Sequence, residues 1–190
     1  MMSNTRNIAI LATIFAGIAT RLFPETLNLT AVGAVCLFSG VYLKRRSLAV
    51  LLPLAAYFVS DLIVNARYAE QFRWSFSGAT YLMFGLTVLL GSLIRERPNA
   101  LRIGLTSVVS AALFYVVSNF MVWTGREMYP GTPAGLIECY VAGIPFAINM
   151  TLGNLLYSAL IFGAWRYADQ VWADAEAKQS PQAAKTATAA

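Results

Sequence analysis

Asp61 and Asn65 stand four residues apart in Tyr57-Phe-Val-Ser-Asp-Leu-Ile-Val-Asn65, an otherwise apolar run. At helical spacing the two polar groups share one face. A carboxylate and an amide presented together can hold a polar solute through hydrogen bonds, whereas Arg21 offers the acid an ion-pair partner that needs no ligand. A lone carboxylate in a membrane helix costs about 2.5–3.5 kcal/mol on insertion scales, so Asp61 requires a partner or water in either case. Asn119 and Asn149 add amides to two further apolar runs, while Asn28 and Trp123 lie where runs meet loops. The competing use of such amides is as hydrogen-bonding glue between helices, worth ~0.6–2 kcal/mol per contact. Trp123 and Trp74 have the same double reading, as interface anchors or as ligand stackers. Replacing Asp61 with Asn is expected to weaken ligand binding and to leave expression intact.

Other chemistry is missing. The chain has no His, no GxxxxGK[ST] phosphate loop and no HExxH, GxSxG or CxxC motif. An enzyme is therefore not expected, no cofactor is implied, and any ATP-driven step needs another chain. Cys36 reads as a small hydrophobe. Cys139 borders the polar region, with a soft metal as its alternative partner. The two cysteines form no paired-spacing motif.

The elements that must position these groups are apolar. Of 190 residues 58% are hydrophobic and 12% charged, against roughly 25% charged in soluble domains. Apolar runs cover Ile8 to Phe23, Thr30 to Leu43, Leu48 to Ala66, Gly78 to Ile94, Leu101 to Trp123 and Gly135 to Trp165. Most approach the roughly 20 residues that cross ~30 Å of hydrocarbon. The reading is an all-α, polytopic membrane protein: a compact bundle of six transmembrane helices over residues 1–169, then a flexible cytoplasmic tail over 170–190. The first run also has the Arg-then-apolar form of a signal peptide, but it has no convincing cleavage site before Arg21 and is read as a retained helix.

Lys and Arg set the orientation. Arg6, Lys44, Arg45, Arg46, Arg95, Arg97, Arg102, Arg166, Lys178 and Lys185 fall on one side, and Arg21, Arg67, Arg73 and Arg126 on the other. Both termini are thus expected in the cytoplasm, and the net charge of +5 reflects contact with lipid headgroups rather than with nucleic acid. In this frame Asp61, Asn65, Asn119 and Asn149 reach similar depths in the outer half, with Arg21 at the edge of a shared recess. The second run is short enough for its start, capped by Asn28 or Thr30, to draw 24–28 into the bundle. Pro145 is expected to divide the last run into an outer piece and a spanning piece. The aromatic loops at 72–76 and 123–133 could close the recess. On the first run, Ala12 and Ala16 belong to a smooth stripe that would let a partner helix approach.

The segments NLTAVGAVCLFSG, PLAAYFVSDLIVN, YLMFGLTVLLG and SNFMVW, followed by YPGTPAGLIECYVAGIPFAINMTLGNLLYSALIFG, resemble a family of small bacterial integral membrane proteins of unknown function. The likeness runs from Asn28 to Gly163. That family is in turn similar to the substrate-binding S components of energy-coupling-factor vitamin transporters. The resemblance implies a bacterial inner-membrane bundle with an outward pocket, an Ala-x-x-x-Ala stripe (here Ala12 and Ala16) meeting a transmembrane coupling subunit, and separate ATPases.

Two functions follow as expectations. In the first, the chain captures a small, vitamin- or metabolite-like molecule from the outer side, through Asp61, Asn65, Asn119 and Asn149, with Asn28 and Trp123 in gating loops and Arg21 at the rim. In the second, it is a non-catalytic accessory subunit of a larger membrane complex. A membrane enzyme with Asp61 as base lacks an accompanying nucleophile or metal set.

Overall fold

Backbone groups shielded from water must bond within their own segment, and a helix meets that demand for each apolar run separately. The computed structural model describes residues 2–22, 29–68 and 77–187, with side chains between 4 and 177. Among the described residues the protein is all-α, with six helices: α1 (Met2–Ala19), α2 (Val32–Tyr42), α3 (Arg46–Tyr68), α4 (Gly78–Leu93), α5 (Ala100–Gly125) and α6 (Pro133–Ala187). A single 3-10 turn, Thr20–Leu22, extends α1. Asn28, Trp74 and the loop at 72–76 lie outside the described residues.

Three helices are long and apolar enough to cross a membrane: α3, α5 and the part of α6 up to Ala177. The distribution of side chains agrees. Leu51, Leu93, Leu101 and Leu105 are exposed, whereas Ser39, Ser60, Asp61, Ser107, Asn154 and Ser158 are buried. An apolar exterior over a core that also shelters polar groups points to a membrane protein.

α2 is the hub. Each residue from Val32 to Val41 is buried, and α2 packs against α1, α3, α4, α5 and α6. Small residues permit this crowding. A Cβ at Gly40 would overlap the Val88 carbonyl oxygen of α4, and one at Gly91 would overlap the Leu37 carbonyl of α2. Toward the C-terminal end of α2, Phe38 meets Phe162 and Trp165 edge-on at 5.5 and 5.3 Å, while Tyr42 lies 5.0 Å from Trp165.

Two details correct the sequence reading, and a third describes the segment expected as a tail. First, α6 is continuous through Pro145; neighbouring helices and side chains make an interior proline tolerable in membrane-type helices, and α3 likewise carries Pro53. Second, the N-cap position of α2 is Ala31, with no side-chain cap, so Thr30 does not cap it; instead the Thr20 hydroxyl accepts from the Ala31 N–H at 3.5 Å. Third, α6 runs on through the expected tail to Ala187, a segment rich in the good helix formers Ala, Lys and Gln.

Candidate functional site

The antiparallel pairing of α3 with α4, and the return of α1 beside α3, bring three side chains to one depth. Arg21 Nη1 donates to Asp61 Oδ1 in a direct ion pair and to Ser60 Oγ at 2.9 Å. Asp61 Oδ2 accepts from the Tyr81 hydroxyl at 2.5 Å. The guanidinium also lies over the Tyr57 ring, 4.1 Å from its centroid, a cation–π geometry that strengthens as water is excluded. Ser60 in turn donates to the Tyr57 carbonyl at 2.7 Å. The acid thus has both oxygens engaged. Asp61 is 6% exposed, and an isolated charge at that burial would be costly.

Arg21 also lines a partly open pocket of about 180 Å³. Its other walls are Thr30, Val32 and Gly33 around the start of α2, Tyr57 of α3, Thr80 and Phe84 of α4, Phe114 of α5, and Met150 and Asn154 of α6. Among the described residues the Nε and Nη2 groups of Arg21 make no hydrogen bond. Asn154 sits opposite in sequence and chemistry: its Nδ2 donates to the Ser107 carbonyl at 3.4 Å and to Ser110 Oγ at 3.2 Å. Ser107 meets Ser158 at 3.0 Å. A Cβ on Gly33 would overlap Asn154 Oδ1, so glycine there gives the amide its room. A positive donor, two hydroxyls and an amide among aromatic walls can bind a compact solute bearing acceptor oxygens.

The other expected site residues lie elsewhere. Asn65 turns back along α3, its Nδ2 donating to the Asp61 carbonyl at 2.9 Å. Asn119 belongs to the α5–α6 seam: it donates to the Tyr115 carbonyl at 2.8 Å, fills the space left by Gly143, and its carbonyl accepts the Cys139 thiol at 3.3 Å. Asn149 is half-buried on α6 and is not among the residues lining the Arg21 cavity. Trp123 Nε1 donates to the Pro130 carbonyl at 3.0 Å and so fastens the α5–α6 connection. Ala12 and Ala16 are exposed on α1. Cys36 and Cys139 are buried free thiols. Among the described residues no three His, Cys, Asp or Glu side chains are grouped to hold a metal.

The sequence reading missed Tyr57, Tyr81, Thr80 and Asn154 as site residues. Tyr57 was within reach, because it precedes Asp61 by four residues and shares its face. Tyr81 required the α3–α4 pairing, and Asn154 required the rotation of α6, neither of which is local.

A family profile described as "Family of unknown function (DUF6580)" matches residues 1–179. The chain belongs to that family. Neither a curated protein nor a solved structure matches it. Membership covers every element that builds the Arg21 cavity, from α1 to the Asn154 region of α6.

Proposed function

We propose that this chain is a membrane-embedded binding component that takes a compact solute from the outer side and hands it on through a partner. In this reading the bundle spans the bilayer six times with both termini cytoplasmic, in the manner of the S components it resembles. One observation carries the proposal: a cationic side chain and a buried amide line the same pocket. The volume of about 180 Å³ falls below the roughly 300–1,000 Å³ typical of drug-sized ligands. The solute is therefore a small metabolite with a carboxylate or carbonyl oxygen for Arg21.

The test is thermal stabilisation of the purified protein across a panel of small carboxylates, amides and polyols, with mass spectrometry of whatever solute leaves the membrane with it. A solute that raises Tm in the wild type and fails to do so in Asn154→Ala supports the reading. A panel without effect, together with no co-purifying solute, removes it.

A second reading, the accessory subunit, is favoured by a different observation. Ala9, Thr13, Ala16 and Gly17 of α1 face Ala164 and Ala168 of α6 across an open groove of about 490 Å³, and small side chains let a foreign backbone approach. Stoichiometric recovery of one membrane protein that Ala16→Phe releases would favour it.

A further inference from the structure

The opposite end of the bundle from Arg21 carries a second cavity, of about 730 Å³, between α1, the turn joining α2 to α3, and α6. Arg6, Asn7, Lys44, Arg45 and Asp169 line its polar part, and Ile10, Leu11, Leu48 and Leu52 its apolar part. Three cations face one carboxylate there. That carboxylate does not satisfy them: Arg6 Nε stands 3.8 Å from Asp169 Oδ1, too far for a hydrogen bond, and is buried without a partner among the described residues. Lys44 and Arg45 are exposed, and the only ion pairs among the described residues are those of Arg6 and Arg21.

A second orphan lies on the same wall. Trp165 is 6% exposed, and its Nε1–H is buried with no acceptor among the described residues. The excess of cations over carboxylate in the lining marks the cavity for an anion. The turn that carries Lys44 is held independently: Arg95 donates to the carbonyls of Gly40, Leu43 and Lys44 at 2.8, 2.7 and 3.3 Å.

We propose that this cavity binds the phosphate headgroup of an anionic phospholipid, with Arg6, Lys44 and Arg45 around the phosphate and an acyl chain along Leu11, Leu48 and Leu52. The complement of this lining is an oxyanion, and a phosphodiester offers two free oxygens to the three cations. A lipid is favoured over free phosphate because the cavity passes from cations to aliphatic side chains, which a soluble anion would leave unused. Basic pockets between membrane helices on the positively charged side hold such headgroups. The proposal rests on the chain lying in a bilayer.

Carbonate extraction of membranes comes first: release of the chain into the soluble fraction would overturn the bilayer reading and this proposal together. With the chain retained, purified protein is titrated with phosphatidylglycerol, phosphatidylcholine and inorganic phosphate, reading Tm and lipid adducts by native mass spectrometry. Phosphatidylglycerol should raise Tm and remain bound where phosphatidylcholine does not. Lys44→Gln and Arg45→Gln, both at exposed positions, should each weaken that binding about fivefold, the share of one basic residue near an anionic surface. Equal response to both lipids, or full binding by the Lys44→Gln/Arg45→Gln double variant, overturns the site. A shift reproduced by inorganic phosphate alone assigns it to a soluble anion and overturns the lipid.

Discussion

The Tyr81 hydroxyl and the Arg21 guanidinium take opposite oxygens of Asp61. The acid that interrupts an apolar run is thus a junction between α1, α3 and α4. This adds a stability phenotype to the binding phenotype expected of Asp61.

Asp61→Asn should leave the Arg21 cation, 22% exposed at its side chain, without its counterion. Removing one partner of a buried pair costs about 3–5 kcal/mol. Replacing both, as Arg21→Met with Asp61→Leu, should recover most of that loss. Denaturant unfolding in detergent measures the cycle, and an Asp61→Asn protein as stable as wild type would deny the pair a structural role.

Tyr81→Phe removes one charge-assisted hydrogen bond and leaves the ion pair. The expected cost is about 1.5–3 kcal/mol. It should be smaller than that of Asp61→Asn and, in the Asp61→Leu background, should vanish, because there is then no acceptor to lose.

Gly40→Ala and Gly91→Ala place a methyl group on backbone oxygen across the α2–α4 contact. Backbone cannot yield as a side chain tip does, so each should cost at least the 1–3 kcal/mol typical of overpacking and reduce the yield of monodisperse protein. Gly104→Ala is the control. Its added Cβ would meet only Leu155 Cδ2 at 4.0 Å, and the change should be neutral or stabilising, by up to about 1 kcal/mol, from helix propensity. Size-exclusion profiles and Tm distinguish the two classes.

Asn154→Ala separates binding from packing. Its loss should cost about 1 kcal/mol, within the range of hydrogen bonds between membrane helices, yet abolish stabilisation by whichever solute the wild type binds. A variant that loses stability and still responds fully to the solute would make the amide a packing element.

Much of this was legible beforehand for a physical reason. Six apolar runs, each obliged to satisfy its own backbone, leave little choice but six helices. The four-residue spacing of Tyr57, Asp61 and Asn65 fixes a shared face, and the pairing of Arg21 with Asp61 was foreseen as the alternative to a ligand. What sequence does not encode locally is rotation about each helix axis. Asn119 turned to Gly143 and Cys139 of α6 and Asn154 to Ser107 and Ser110 of α5, so the amide at the cavity is not one that depth alone selected. Pro145 misled for a related reason, since its effect on a helix depends on neighbours that only the fold supplies.

The burial of α2 bears on how the protein is made. Its 11 residues span about 16 Å and cannot reach across the hydrocarbon alone, yet it is synthesised before α4, α5 and α6, which enclose it. During translation the bilayer therefore holds an unsheathed centre waiting for its casing.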